Sequence, residues 1–228
     1  MACWSAENAT KAYLRALKMG KRGKEPDVAE FISAIAAGNN AQLMVITCAG
    51  VAGSTALALV AASRQTGGRV VCILNSVEHY QASKNALGNY RDCIDFVIGD
   101  AKLLLNDYKT ADFVLVDCNI SDHKEVLRAA QEVAKHGEGG ALIVGYNALN
   151  KGPCWSSCEF KTHFLPIGEG LLVIRKSAGD KVAIGSDAVN NNNCRKVRSR
   201  WVVKVDKWTG EEHVFRITSP FPEEMIKA

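Results

Sequence analysis

Between Gln42 and Ser63 the chain reads QLMVITCAGVAGSTALALVAAS: a short apolar run, a turn of small residues, then a second apolar run. Leu43, Met44, Val45 and Ile46 have the unbroken apolar character of a strand buried on both faces, and Ala56 to Ala62 that of a helix too apolar to face water. From there strand-like and helical runs alternate. The pattern predicts strands at Leu43–Cys48, Arg69–Leu74, Asp95–Ile98, Asp112–Asp117 and Ala141–Gly145. Between them it predicts helices at Ser54–Arg64, His79–Leu87, Lys102–Tyr108 and Asp122–His136. That rhythm specifies a parallel sheet with right-handed crossovers and helices on both faces. FKTHFLPIGEGLLVIRK, after Trp155, reads as two strands turning at Pro166 to Gly170, too close for a crossover helix, so an antiparallel hairpin ends the sheet.

The flanks follow other patterns. Ser5 can cap a first helix with Glu7 and Asn8 in its first turn and Tyr13, Leu14 and Leu17 on one face. GKRGKEP is a basic loop, after which Pro26 and Asp27 start a second helix with Val28, Phe31, Ile32 and Ile35 at helical spacing and Gly38-Asn39-Asn40 at its end. Packing on the sheet edge, covering a ligand mouth and forming a homodimer contact are all open to this pair. Beyond Lys176, Asn190 to Asn193 read as a polar linker, and WVVKVDKWTGEEHVFRI as a hairpin turning at Thr209-Gly210. The expected division is therefore N-terminal helices over 1–40, an α/β core over 41–176, and a linker with a β-hairpin extension over 177–228.

Composition narrows the class. With 228 residues, 47% hydrophobic and 23% charged, the chain can bury one sizeable core. The apolar runs fall short of membrane-spanning length, and MACWSAENATK lacks the layout of a signal peptide, so the cytoplasm, or else the nucleus, is the expected location and no membrane partner is expected. Cys48, Cys72 and Cys118 lie in or at the ends of apolar runs, where thiols behave as small hydrophobes. Cys154 and Cys158 form a close pair, but without a second pair or an adjacent histidine they do not make a zinc site. A net charge of +4 demands no acidic partner. Arg195, Lys196, Arg198 and Arg200 beside Trp201 can bind single-stranded nucleic acid, but Glu211, Glu212, Glu223 and Glu224 dilute that field, so nucleic acid is not the expected partner.

Chemistry is expected where parallel strands end. Ala49, Gly50, Ala52, Gly53, Ser54 and Thr55 are small enough to bring a ligand onto main-chain N–H groups at a helix start, although the phosphate pattern G-x-G-x-x-G is absent. A plain tight turn would select the same residues. The other strand ends are Leu74 and Asn75, Gly99 and Asp100, Asp117 to Asn119, and Tyr146 with Asn147.

The layout and the blocks GSTALALVAA, GRVVCIL, HYQASKNAL, CIDFVIGDA, ADFVLVD, GEGGALIV and FLPIGEGLLVIRK resemble class I S-adenosylmethionine-dependent methyltransferases of the caffeoyl-CoA and catechol O-methyltransferase type. The chain looks closer still to a plant group of methyltransferase-like proteins known as a domain of unknown function. The resemblance implies a three-layer Rossmann-like fold, a seven-stranded, mostly parallel sheet with an antiparallel last hairpin, and S-adenosylmethionine as cofactor for a small-molecule acceptor. It also implies cofactor contacts at Thr47, Ala49, Gly53, Thr55, Asn75, Asp100, Ala101 and Asp117.

Departures from the family pattern carry information. Thr47 stands where the relatives have an acid, which weakens recognition of the methionine amine by roughly 1–2 kcal/mol unless another acid substitutes. Asn75 stands where an acid takes both ribose hydroxyls, and Glu78, the nearest carboxylate, reads equally as a helix-start residue. Asp100 matches the acid that meets the adenine amine and also suits a helix N-cap. In the metal-dependent relatives two Asp and one Asn hold a divalent ion; here Asp117 is followed by Tyr146 and Asn147 at the other positions, so no metal is expected. Candidates for a catalytic role are Asp117, His123 and Asn147, with His79, His136, His163 and His213 as further bases by chemistry. Three readings stay open: a metal-independent methyltransferase, an inactive binding or regulatory protein on the same fold, and a nucleic-acid binder working through the basic C-terminal arm.

Overall fold

The structure, a computed structural model, describes residues 4–20, 27–136, 141–149, 160–176, 198–205 and 212–219. The chain divides into two compact units, Met1–Lys181 and Val182–Ala228. In the first, seven strands form one sheet: β1 (Leu43–Cys48), β2 (Arg69–Leu74), β3 (Asp95–Ile98), β4 (Phe113–Asp117), β5 (Leu142–Tyr146), β6 (Phe160–Leu165) and β7 (Leu171–Lys176). Their order across the sheet is β3-β2-β1-β4-β5-β7-β6. β1 to β5 are parallel, and β7 runs antiparallel between β5 and β6. The hairpin at the sheet's end is thus as expected. The chain winds outward from β1 to β3, then crosses back to β4 on the other side of β1. This reversal opens a crevice at the carboxyl edge.

Helices cover both faces. α1 (Ala6–Met19), α2 (Val28–Gly38), α3 (Ser54–Thr66) and α4 (Val77–Leu87) lie on one side, where Met44, Ile46, Phe113 and Leu115 meet Ala12, Ile32, Leu59 and Leu87. The other side is covered by α5 (Ala101–Leu104), a 3-10 turn (Leu105–Tyr108) and α6 (His123–His136), where Val45, Val114 and Ile143 meet Leu105, Leu127 and Val133. Every residue of β4 and β5 is buried, which is why those strands carry unbroken apolar runs instead of alternation.

Local chemistry sets the boundaries. The Ser5 hydroxyl accepts from Asn8 N–H at 3.2 Å, and Glu30 reaches back to Asp27 N–H at 2.8 Å to start α2. α4 begins at Val77, two residues before the expected His79, because Ser76 caps it by accepting from His79 N–H. The helix expected over Lys102–Tyr108 is one α-turn followed by a 3-10 turn. β4 starts at Phe113, since the Asp112 carboxylate accepts from the N–H groups of Gln42 and Leu43 where β1 begins. β5 extends to Tyr146, one residue past the expected end. α1 buries Ala9, Ala12 and Ala16, while Leu14 and Leu17 are exposed. The alanine stripe lets α1 pack closely on α2 and α3.

The second unit contains β8 (Arg198–Val205) and β9 (Glu212–Ser219), an antiparallel pair in which Arg198 faces Ser219 and Val205 faces Glu212. The expected linker and turn, and Cys154, Cys158, Arg195 and Lys196, lie outside the described residues.

Candidate functional site

At the carboxyl edge of the sheet lies a cleft of about 430 Å³. Its walls come from the ends of four strands: Cys48 and Ala49 at the end of β1, Ile73 to Asn75 at the end of β2, Gly99 to Ala101 after β3, and Asn119 to Asp122 after β4, with Val126 of α6 completing the lining. Of the expected cofactor residues, Ala49, Asn75, Asp100 and Ala101 line it. Thr47, Gly53, Thr55 and Asp117 do not. Gly99 adopts φ +156°, and a Cβ there would come within 2.9 Å of Leu104, so the wall turns on a glycine. The wall residues Ile73, Ser121, Asp122 and Val126 were not singled out from the sequence. For Ser121 and Asp122 the signal was present, because they follow the strand end at Asp117.

Asp117 is buried beneath the bend and is fully engaged. Its Oδ2 accepts from Ala49 N–H at 3.2 Å, and its Oδ1 accepts from Asn119 N–H at 3.0 Å and from the Asn147 side-chain amide at 2.9 Å. One carboxylate therefore pins the turns after β1, β4 and β5. Asn147 reaches it from a left-handed backbone, φ +57°, which asparagine tolerates better than most residues.

These contacts bear on a metal. A divalent ion would need the lone pairs that Asp117 gives to three N–H groups, and the second ligand position is a tyrosine. Tyr146 is buried, its hydroxyl meeting Thr55 and lying 3.9 Å from Cys48 Sγ, and burial pushes its pKa up, so it stays a neutral phenol. The residues present do not fit an oxygen-ligated metal. No group of three His, Cys, Asp or Glu gathers among the described residues.

Asp100 caps α5, its Oδ1 accepting from Lys102 N–H at 2.8 Å, while its side chain also lines the cleft, so the cap and wall readings hold together. Lys102 bridges two wall carboxylates: its Nζ lies 2.8 Å from Asp122 Oδ2 and 3.9 Å from Asp100 Oδ2. The ammonium holds the Asp122 carboxyl below its usual range, and Asp122 in turn raises the lysine.

Asn75 is exposed on the wall, and His79 Nδ1 donates to its Oδ1 at 2.6 Å. Glu78 does not line the cleft; its carboxyl lies against its own backbone N–H and Ser76, which hold it below its usual range. It is a helix-start residue. The bend after β1 is tied down at two points, Ala49 N–H on Asp117 and Ala52 N–H on the buried Ser83 Oγ at 2.8 Å. Gly53 caps α3, and a Cβ there would meet nothing within 4 Å. This open approach is what a ligand against the helix start requires. Thr47 Oγ1 is fully buried and has no hydrogen-bond partner among the described residues.

Of the remaining candidate bases, His123 is buried at the start of α6, its Nδ1 2.9 Å from the Ile120 carbonyl, and His163 is exposed on β6. His136 ends α6 and His213 lies on β9.

Strand order, reversal point and edge cleft together define the Rossmann-like fold of class I methyltransferases. Over residues 1–217 the chain matches, and it belongs to, the family described as Protein of unknown function (DUF1442). Solved structures share the fold. SAH-bound Podospora anserina methyltransferase PaMTH1 is similar at TM-score 0.56 and 14% identity, over 77% of this chain and 90% of that one. A candidate caffeoyl-CoA O-methyltransferase from Staphylococcus aureus is similar at 0.54 and 15%, over 76% and 93%. The Bacillus cereus O-methyltransferase in complex with SAH is similar at 0.51 and 15%, over 76% and 92%. No curated protein sequence matches the chain. Among the described residues no helix is long and apolar enough to cross a membrane.

Proposed function

We propose that the cleft binds S-adenosylmethionine and that the protein transfers its methyl group to a small molecule without a metal ion. The observation that carries this reading is the open cleft at the reversal between β1 and β4, walled by the ends of β1 to β4, on a fold whose neighbours include two SAH-bound methyltransferases. Ala101 and Asp100 would flank the adenine, Asn75 the ribose, and Ala49 the methionine end, with the open helix start at Gly53 beside it. The bound cofactor supplies an electrophilic methyl group on a sulfonium. The chain supplies position: Asp117 fixes three turns through N–H groups, and Ser83 fixes the bend at Ala52.

Among the described residues the cleft wall presents no imidazole, and Asp117 and Asn147 are engaged with each other. Asp117, His123 and Asn147 are therefore proposed as positioning groups. The acceptor that suits such a site is one already nucleophilic near neutral pH, a thiol, an amine or an acidic phenol, which needs neither Lewis acid nor strong base.

A second reading, ligand binding without turnover, is favoured by Thr47 and Asn75 standing in for acids. Calorimetry with S-adenosylhomocysteine tests the site: micromolar binding is expected, and no heat at millimolar ligand overturns it. Methyl release from labelled cofactor to an acceptor panel then separates enzyme from binder.

A further inference from the structure

We infer that Asn75 and His79 form a specificity-setting pair that reads a ribose oxygen by its lone pair, where an acid would read the hydroxyl hydrogen. The inference rests on the adenosyl reading of the cleft. Asn75 lines the wall and is solvent-exposed. Its Oδ1 accepts the Nδ1 hydrogen of His79 at 2.6 Å, one helical turn on. That contact turns the amide oxygen toward His79, so although Oδ1 keeps a second lone pair, Nδ2 is the end left without a partner among the described residues.

The backbone that carries this imidazole is itself fixed. His79 N–H donates to the Ser76 hydroxyl at 3.2 Å, and its carbonyl accepts from Ser83 Oγ at 2.6 Å. Ser83 in turn accepts from Ala52 N–H in the bend after β1. A chain of hydrogen bonds thus links the bend, α4 and the end of β2, so the donor at the ribose end is built into the framework. The charged groups of this end and of the facing wall are Glu78, folded onto its own helix start, and Asp100 and Asp122 with Lys102 between them.

The consequence is a selectivity that a carboxylate cannot have. A carboxylate holds a ribose through the hydroxyl hydrogens and loses the contact when one is replaced by a methyl ether. An NH2 donor needs only the oxygen, and it keeps the contact. The pair should therefore admit nucleosides whose ribose oxygen carries a small substituent.

The test is calorimetric titration of S-adenosylhomocysteine, adenosine, 2′-O-methyladenosine and 3′-O-methyladenosine against the full chain and three variants, each checked for an unchanged unfolding midpoint. The native protein is expected to bind at least one ether within about threefold of adenosine. Asn75→Asp should favour adenosine over that ether by about tenfold or more. His79→Ala frees Oδ1 to accept a hydroxyl hydrogen, so the preference for adenosine should rise to about fivefold, a change that loosening of α4 alone would not produce. His79→Gln, which retains a donor, should stay close to the native ratio. If the native protein binds S-adenosylhomocysteine but rejects both ethers tenfold, or if Asn75→Asp leaves the ratio unchanged, this inference falls alone. If neither S-adenosylhomocysteine nor adenosine binds, the cofactor reading falls with it.

Discussion

Asp117 and Thr47 show how differently two residues near the carboxyl edge of one sheet can be used. Asp117 is an acid at a strand end, and its position was legible in ADFVLVD. Its partners were not, because Ala49 and Asn147 come from turns far away in sequence that only the assembled sheet brings to it. In Asp117→Asn the amide nitrogen must face either Ala49 N–H or the pair of donors at Oδ1, setting donor against donor in a buried site. We expect a loss of about 2 kcal/mol, read as a lower denaturant midpoint at unchanged slope. Thr47 illustrates the opposite case. The resemblance placed a cofactor contact there, while in the structure β1 lies between β2 and β4 and the Thr47 hydroxyl is buried with no partner among the described residues. A buried hydroxyl with nothing to bond costs stability, and valine suits the same pleated surface. Thr47→Val should raise stability by about 1 kcal/mol in the same measurement. A drop would mean the hydroxyl has a partner in solution.

Elements were legible where one physical signal dominated, as in the fully buried strands and the helix start marked by Ser5, whereas the caps at Ser76 and Gly67 carry α4 and α3 past their expected ends at His79 and Arg64. Which face α1 buries was not legible, because a close three-helix contact selects alanine and leaves no large apolar stripe to mark it. The stretch after β3 was misread because four helical residues lead into a 3-10 turn, a change of hydrogen-bonding pattern that periodicity does not register. The link between α5 and the turn before α6 was invisible for another reason: Lys102 and Asp122 are twenty residues apart. Asp122 has its folded pKa depressed, so its contribution to stability is present above the unfolded value of about 3.9 and is lost as pH falls through the folded value. Lys102 is raised, so its contribution holds below about 10.4 and is lost as pH rises through the folded value. Both side chains are more than a third exposed, so the effect is small and screened by salt. Asp122→Asn should lower the urea midpoint slightly at pH 7 in low salt, and the gap to the native protein should close well below about pH 3.9. A gap that persists there would mean that the bridge is not its source.

At the scale of the whole molecule the alternation of strands and helices was enough to place the cleft, because a doubly wound sheet has one reversal and ligands enter at its carboxyl edge. What alternation does not carry is which atoms face the opening, and this is why Ala49, Asn75, Asp100 and Ala101 line the wall while Gly53, Thr55 and Asp117 serve behind or beside it. A ligand held by four strand ends and two helix faces binds only when all of them are assembled, so its binding free energy adds to the stability of the whole first unit. At a hundredfold excess over Kd, S-adenosylhomocysteine should stabilise the fold by about 2.7 kcal/mol. For a protein of this size, where 1 kcal/mol moves Tm by roughly 2–4 °C, the midpoint should rise by about 5–10 °C. Because Asp117 gives its oxygens to N–H donors and Tyr146 occupies the second ligand position, the same rise is expected with excess EDTA or with millimolar magnesium. A shift that appears only with magnesium would show that the turns open to release Asp117 for the ion, and would replace the metal-independent reading with one in which the ligand and the metal assemble the site together.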